Sequence, residues 1–224
     1  MWVEISFILL LCIIYFLFYV EIKVNKSNEL YFFDKEMTRQ NLQNEMYLKL
    51  PFYFNGKHLN EPYSKSILEK VDKKKHHYEQ YKKSYDEISL LEPRTRFKAT
   101  HDIYYIHKKK SLPLLMDTCS INFYIVKSGQ VKVTFIHPKF KEHFVQKDTI
   151  CDVSSKVDYI QNHKSFLSMI ASENTIIYVP NQWIVYVENE ENKTSILDII
   201  HYSTMCNQFI EWGKNNIIKK QKTV

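Results

Sequence analysis

Hydrophobic and polar positions follow three different rhythms along this chain. From residue 5 to residue 20 the string ISFILLLCIIYFLFYV carries no charge. With Trp2, Val3 and Ile22 at its ends it approaches the roughly 20 residues that a helix needs to cross a hydrocarbon core. A helix satisfies its own backbone there, so residues 2–22 are expected to lie in a lipid bilayer as a transmembrane anchor. The run has no basic residues before it, and the following EIKVNKSN offers no small-x-small cleavage site; both argue for an anchor over a cleaved signal. Lys23 and Lys26 follow the run and Glu4 precedes it, so the positive-inside bias places the large C-terminal domain on the cytoplasmic side.

The second rhythm is helical. DKEMTRQNLQNEMYL, from Asp34, reads as a short helix capped by Asp34, and LPFYF after it reads as an edge strand ending at Asn55-Gly56. In residues 64–91, Ile67, Val71, Tyr78, Tyr81 and Tyr85 recur at near-helical spacing among lysines, which predicts an amphipathic helix. Its His77-Tyr78-Glu79 has the text of a metal pair, but residues two apart on a helix face different ways.

After Pro93 the period becomes two. FKATHDIYYIH, SLPLLMDTCS, INFYIVKSGQVKVTFIHP, SFLSMIAS, NTIIYVPNQWIVYVEN and SILDIIHYS are short β-rich runs, and Val131, Val133 and Phe135 alternate with Lys132 and Thr134. TMCNQFIEWGKNNIIKK reads as a terminal amphipathic helix. Close antiparallel strands with short turns predict a mainly β fold, a double-sheet jelly roll or small barrel with flanking helices. The expected divisions are an anchor over 1–24, a linker with helical and strand parts over 25–94, the barrel over 95–205, and a helix with a basic tail over 206–224.

Composition narrows the chemistry. Three glycines in 224 residues exclude the Gly-rich phosphate loops. Cys12, Cys119, Cys151 and Cys206 show no CxxC spacing, which sets aside a zinc ribbon or a redox dithiol, and three cysteines outside the anchor suit a reducing compartment. The net charge of +6 comes partly from lysines at 73–75, 108–110 and 219–222. If these share the membrane-proximal face they would attract anionic lipid. No aromatic platform interleaves them, so nucleic acid ranks lower as a partner.

The order LPLLMDTCSINFYIVKSGQVKVTFIHP, SSKVDYIQNHKSFLSMIASE, NTIIYVPNQWIVYVEN resembles the cupin and jumonji-C-like barrel of the iron- and 2-oxoglutarate-dependent oxygenases, over roughly residues 95–205. The resemblance implies a double-stranded β-helix and, in an active member, two histidines and a carboxylate on Fe(II). Carried onto this chain, the carboxylate falls on Asp117, the first histidine near Leu115 or Met116, and the second on Val185. The cosubstrate's basic residue falls nearest Lys132, one position out of place, which on a strand turns the side chain to the other face. Trp183 is expected to fill the barrel mouth. The resemblance therefore implies a vestigial site without metal, cofactor or catalytic residues. A rebuilt site would have to draw on His101, Asp117 or His201, and adjacent His101 and Asp102 point to opposite sides of a strand.

The reading is a membrane-anchored, cupin-like binding or structural module that recruits a protein partner, with an unorthodox iron oxygenase or a lysine-driven lipid or nucleic-acid binder as the alternatives. The Lys-, Asn- and Ile-rich, Gly-poor composition is similar to that of proteins from AT-rich genomes, large DNA viruses among them, in which case the domain would face a virion interior.

Overall fold

The computed structural model describes residues 2–34, 37–56, 68–70, 78–83, 91, 98–116, 119–146, 149–150, 157–209 and 212. An apolar helix, α1 (Trp2–Ile22), comes first. It is long and apolar enough to cross a membrane, and no part of its Glu4–Glu21 stretch is buried against the rest of the chain. Then follow β1 (Tyr31–Phe32), α2 (Arg39–Tyr47), β2 (Phe52–Asn55), β3 (Leu68–Lys70), β4 (Tyr78–Lys83), β5 (Lys98–Ile106), β6 (Leu115–Met116), β7 (Ile121–Ser128) and β8 (Val131–Ile136). After a 3-10 turn at Pro138–His143 come β9 (Val145–Gln146), β10 (Thr149–Ile150), α3 (Val157–Asn162), β11 (Leu167–Ala171), β12 (Thr175–Pro180), β13 (Ile184–Asn189) and β14 (Ser195–Ser203).

Strand order defines the architecture. One sheet runs β1-β2-β12-β7-β14-β5-β4-β3 and the other β11-β8-β13-β6, with β9 and β10 a separate small pair. Successive strands β5, β6, β7 and β8 alternate between the two sheets, and so do β11, β12, β13 and β14. Thus β12-β7-β14-β5 lies in one sheet and β11-β8-β13-β6 in the other, each strand antiparallel to its neighbours. This interleaving is the double-sheet jelly roll, in agreement with the mainly β reading of the sequence.

The segment 174–189 illustrates the winding. β12 and β13 flank a three-residue connection, 181–183, in which Gln182 takes a left-handed φ of 69°, yet they pair with β7 and β2 on one side and with β8 and β6 on the other, not with each other. The β7–β8 connection crosses between sheets too. It turns on Gly129, whose φ is +80° and where a Cβ would stand 2.5 Å from the Ser195 hydroxyl.

Apolar side chains form three clusters. Between the sheets lie Tyr104, Tyr124, Val133, Phe135, Ile177, Trp183, Val185, Leu197 and Ile199. Outside the larger sheet, α2 contributes Leu42 and Met46 against Phe52, Phe123, Tyr178 and Ile200. Outside the smaller sheet, Phe144, Ile160 and Phe166 cover Ile136, Ile184 and Tyr186. Burial of both faces explains why FYIV and WIVYV read as unbroken apolar runs. Each fully buried Val, Leu, Ile or Phe contributes roughly 1.5–3 kcal/mol relative to exposure, as an upper estimate.

Several expectations are corrected. The amphipathic helix over 64–91 is not formed where that segment is described: β3 and β4 form an antiparallel pair, and β4 lies against β5 from Tyr78↔Ile106 to Lys83↔His101. Pairing with the open edge of β5 supplies backbone hydrogen bonds that outweigh a weak local helical pattern. Ile67, Val71, His77 and Tyr85 lie outside the described residues. The cap of α2 is Thr38, whose hydroxyl accepts from the Asn41 N–H at 3.2 Å, not Asp34. β2 is not the edge strand, because β1 pairs with it in parallel. After β14, residues 205–209 and 212 are helical, and the remainder of the tail lies outside the described residues, as do lysines 73–75 and 219–222.

Candidate functional site

The mouth lies where β12 passes to β13. β6 and β8 flank β13 there, with Val185 opposite both Leu115 and Phe135. Directly opposed residues share a face, and all three belong to the interior cluster. Met116 and Ile136, opposite Ile184, turn the other way into the outer cluster. Of the two positions considered for a first histidine, Leu115 is therefore the inward one. Val185 is fully buried and Leu115 half-buried, while Asp117 lies outside the described residues.

Lys132 pairs in register with Glu188 and Ile170, and its Nζ lies 3.7 Å from Glu188 Oε2. Its inward-facing neighbours on β8 are Val131 and Val133, so the ammonium is directed away from the interior. Trp183 is 1% exposed and meets the His137 ring edge-on at 5.0 Å between centroids. Its indole Nε1 is buried without a hydrogen-bond partner among the described residues.

A polar group faces this apolar wall from the other sheet. Asn122 Nδ2 donates to the Cys119 and Val179 carbonyls, both at 3.2 Å, leaving Oδ1 to accept from His201 Nδ1 at 2.9 Å. His201 Nε2 stands 3.7 Å from Asp102 Oδ2. His201 follows Ile199 by two positions on β14, and Ile199 belongs to the interior cluster, so His201 shares its inward face. His101 faces the other way, with Nδ1 3.8 Å from the fully buried Asp198. It lies opposite Ile200, whose side chain belongs to the outer cluster. His101 and His201 thus occupy opposite faces of one sheet and cannot share a metal ion. Among the described residues, no group of three or more His, Cys, Asp or Glu is placed to hold one.

The segment after α1 closes over the same end. His137 Nε2 donates to the Asn25 carbonyl at 2.8 Å, while its Nδ1 accepts from the Lys139 N–H at 3.1 Å, which fixes the tautomer. Asn25 Nδ2 donates to Leu48 O and Asn28 Nδ2 to Ser165 O, both at 2.7 Å, and Leu30 packs on the interior cluster. Lys49, in a left-handed conformation at φ 53°, donates its Nζ to the Val20 and Glu21 carbonyls at 2.6 and 2.9 Å. These are the carbonyls a helix C-terminus leaves without partners. Burial pushes the Lys49 ammonium below its ordinary pKa.

None of this polar framework was apparent in the sequence. His137, Asn122 and Lys49 stand in no motif, and only strand register and the return of the linker bring their partners to them.

No protein-family model matches the chain, and no curated protein matches it. Among solved structures it is similar to the Schizosaccharomyces pombe Cnp3 cupin domain, at 10% identity and a TM-score of 0.40 over 67% of this chain and 79% of that one. It is similar also to Drosophila melanogaster CENP-C bound to CAL1, at 8% identity and a TM-score of 0.38 over 62% of this chain and 85% of that one. A cupin superfamily protein from Desulfitobacterium hafniense DCB-2 gives 8% identity and a TM-score of 0.35 over 59% of this chain and 84% of that one. Likenesses of this size add no weight to the strand order, which establishes the jelly roll by itself.

Proposed function

We propose that this chain is a membrane-anchored, cupin-like jelly-roll module that binds a protein partner and performs no oxygenase chemistry. The observation that carries the reading is the Leu115–Val185–Phe135 row. Where the family resemblance would put two imidazoles around iron, aliphatic side chains oppose one another across β6 and β13 inside the core. Neither offers a metal a donor atom, so the residues at these positions do not fit a facial-triad iron. Asn122, His201 and Asp102 instead tie β5, β7 and β14 together. The anchor reading rests on α1, uncharged from Ile5 to Val20 and unburied over Glu4–Glu21, with the linker lysines favouring a cytoplasmic domain.

A second reading, an oxygenase with an unorthodox metal site, has one observation behind it: His201 faces the interior with Asp102 at its side. Thermal denaturation of the detergent-solubilised chain with Fe(II) and 2-oxoglutarate separates the two. The module reading expects no shift in midpoint, and a saturable rise that His201→Ala abolishes would favour the oxygenase. Resistance of the full chain to carbonate extraction from membranes tests the anchor.

A further inference from the structure

The condition under which the lysine clusters would attract anionic lipid together, a shared face, is not met by Lys108–Lys110 relative to the mouth. They follow the end of β5 remote from the mouth, where Lys110 O accepts from the Asn189 N–H. A different surface takes their place. Lys49 and Asn25 hold the end of α1 beside Leu48, just before β2. β2 begins at Phe52, opposite Tyr178 near the end of β12, so α1 departs from the mouth end and projects clear of the domain.

That end also carries most of the large apolar side chains left exposed outside α1 among the described residues. Tyr47 is 77% and Leu48 49% exposed at the end of α2. Phe209 at 58% and Trp212 at 69% follow β14, whose last residue Ser203 lies opposite Lys98. Around them, Lys26, Lys98, Lys139 and Lys164 are exposed on the linker, on β5 where it starts, after β8 and just before β11, all at the same end. Exposed Glu29 and Glu142 share the region and offset part of this charge. Exposed aromatics and lysines at the end from which an apolar helix departs have the composition of a membrane–water interface.

We infer that the mouth end of the jelly roll lies on the bilayer that α1 enters, with Trp212, Phe209, Tyr47 and Leu48 at the level of the headgroups and the surrounding lysines on anionic lipid phosphates. The inference rests on the reading of α1 as a membrane anchor. It turns the linker-covered mouth toward the lipid and leaves the remote end, with Lys108–Lys110, for other contacts. Each lysine near an anionic surface strengthens binding by about fivefold, and the attraction weakens with salt.

The test uses the full chain in phosphatidylcholine vesicles, with and without phosphatidylserine, that carry a spin-label quencher just below the headgroups. Subtracting the emission of a Trp212→Ser variant from that of the parent isolates Trp212 from Trp2 and Trp183. The difference emission is expected to be blue-shifted and quenched, more so with phosphatidylserine, and a Lys139→Glu/Lys164→Glu variant should lose that increment. A solvent-like, unquenched Trp212 in a chain that still resists carbonate extraction overturns the inference and leaves the anchor standing. Quenching indifferent to phosphatidylserine overturns the headgroup assignment. Release by carbonate overturns the anchor reading, and this inference falls with it.

Discussion

Restoring histidines at Leu115 and Val185 is the perturbation that discriminates most sharply. The two positions are opposed on β6 and β13, so their Cβ atoms stand about 4.5–5.5 Å apart, a separation that lets two imidazoles meet one ion at about 2.0–2.1 Å. Without metal, each imidazole replaces an aliphatic group beside Phe135, Val133 and Val187, and an unpartnered buried polar group costs about 1–3 kcal/mol. Leu115→His/Val185→His should therefore lose roughly 2–6 kcal/mol, with the larger share from the fully buried Val185. Co2+ at a hundredfold excess over its dissociation constant should return about 2.7 kcal/mol, whereas either single variant should respond weakly. Urea denaturation in detergent, with and without Co2+, measures both quantities; if the double variant does not fold alone, refolding yield with and without the ion replaces it. A double variant that responds no more than the singles would refute the proposed placement of 115 and 185 as opposed, inward-facing positions able to share one ion. A Val185→His that costs nothing would refute the filled interior.

Three further outcomes follow from the same contacts. Asn189 Nδ2 donates to the Ile106, His107 and Lys193 carbonyls while its Oδ1 accepts from the Glu191 N–H and the Ser195 hydroxyl, so Asn189→Ala should cost about 2–4 kcal/mol by denaturant midpoint. Burial pushes the Tyr186 hydroxyl up to about 12 and raises Tyr178 and Tyr31 as well. These phenols ionise more readily unfolded than folded, so their contribution holds below about pH 10 and is lost as pH rises through the folded values; Tyr186→Phe should flatten the alkaline limb of a pH–stability curve. Asn192, exposed in an Asn-Lys-Thr sequon between β13 and β14, should carry no glycan when the chain is made in a eukaryotic host, and a mass shift removed by Asn192→Gln would overturn the proposed cytoplasmic orientation.

The strands of the jelly roll were legible because their periodicity is local. Val131, Val133 and Phe135 announce an inward face, and the β12–β13 turn is marked by its Pro-Asn-Gln text. What the sequence withheld depends on register. Tyr78 and Tyr81 fit a helix as well as a strand until β5 offers an edge to pair with, and nothing in their spacing decides it. Leu115 and Met116 were equivalent candidates until pairing with Val185 and Ile184 assigned one inward and the other outward. Thr38 displaced Asp34 as a cap because the helix starts at Arg39, later than the polar run suggests. The partnership of Lys49 with the last carbonyls of α1 spans 28 and 29 residues, beyond the reach of any local pattern.

Leu115 and Val185 oppose each other as aliphatic side chains in the proposed vestigial site. Elemental analysis of the full chain, purified without chelators from cells supplied with iron, decides whether the proposed module is metal-free. Iron, and any other first-row metal, is expected far below one atom per chain; one tightly held iron per chain, released only on unfolding, would overturn the proposal.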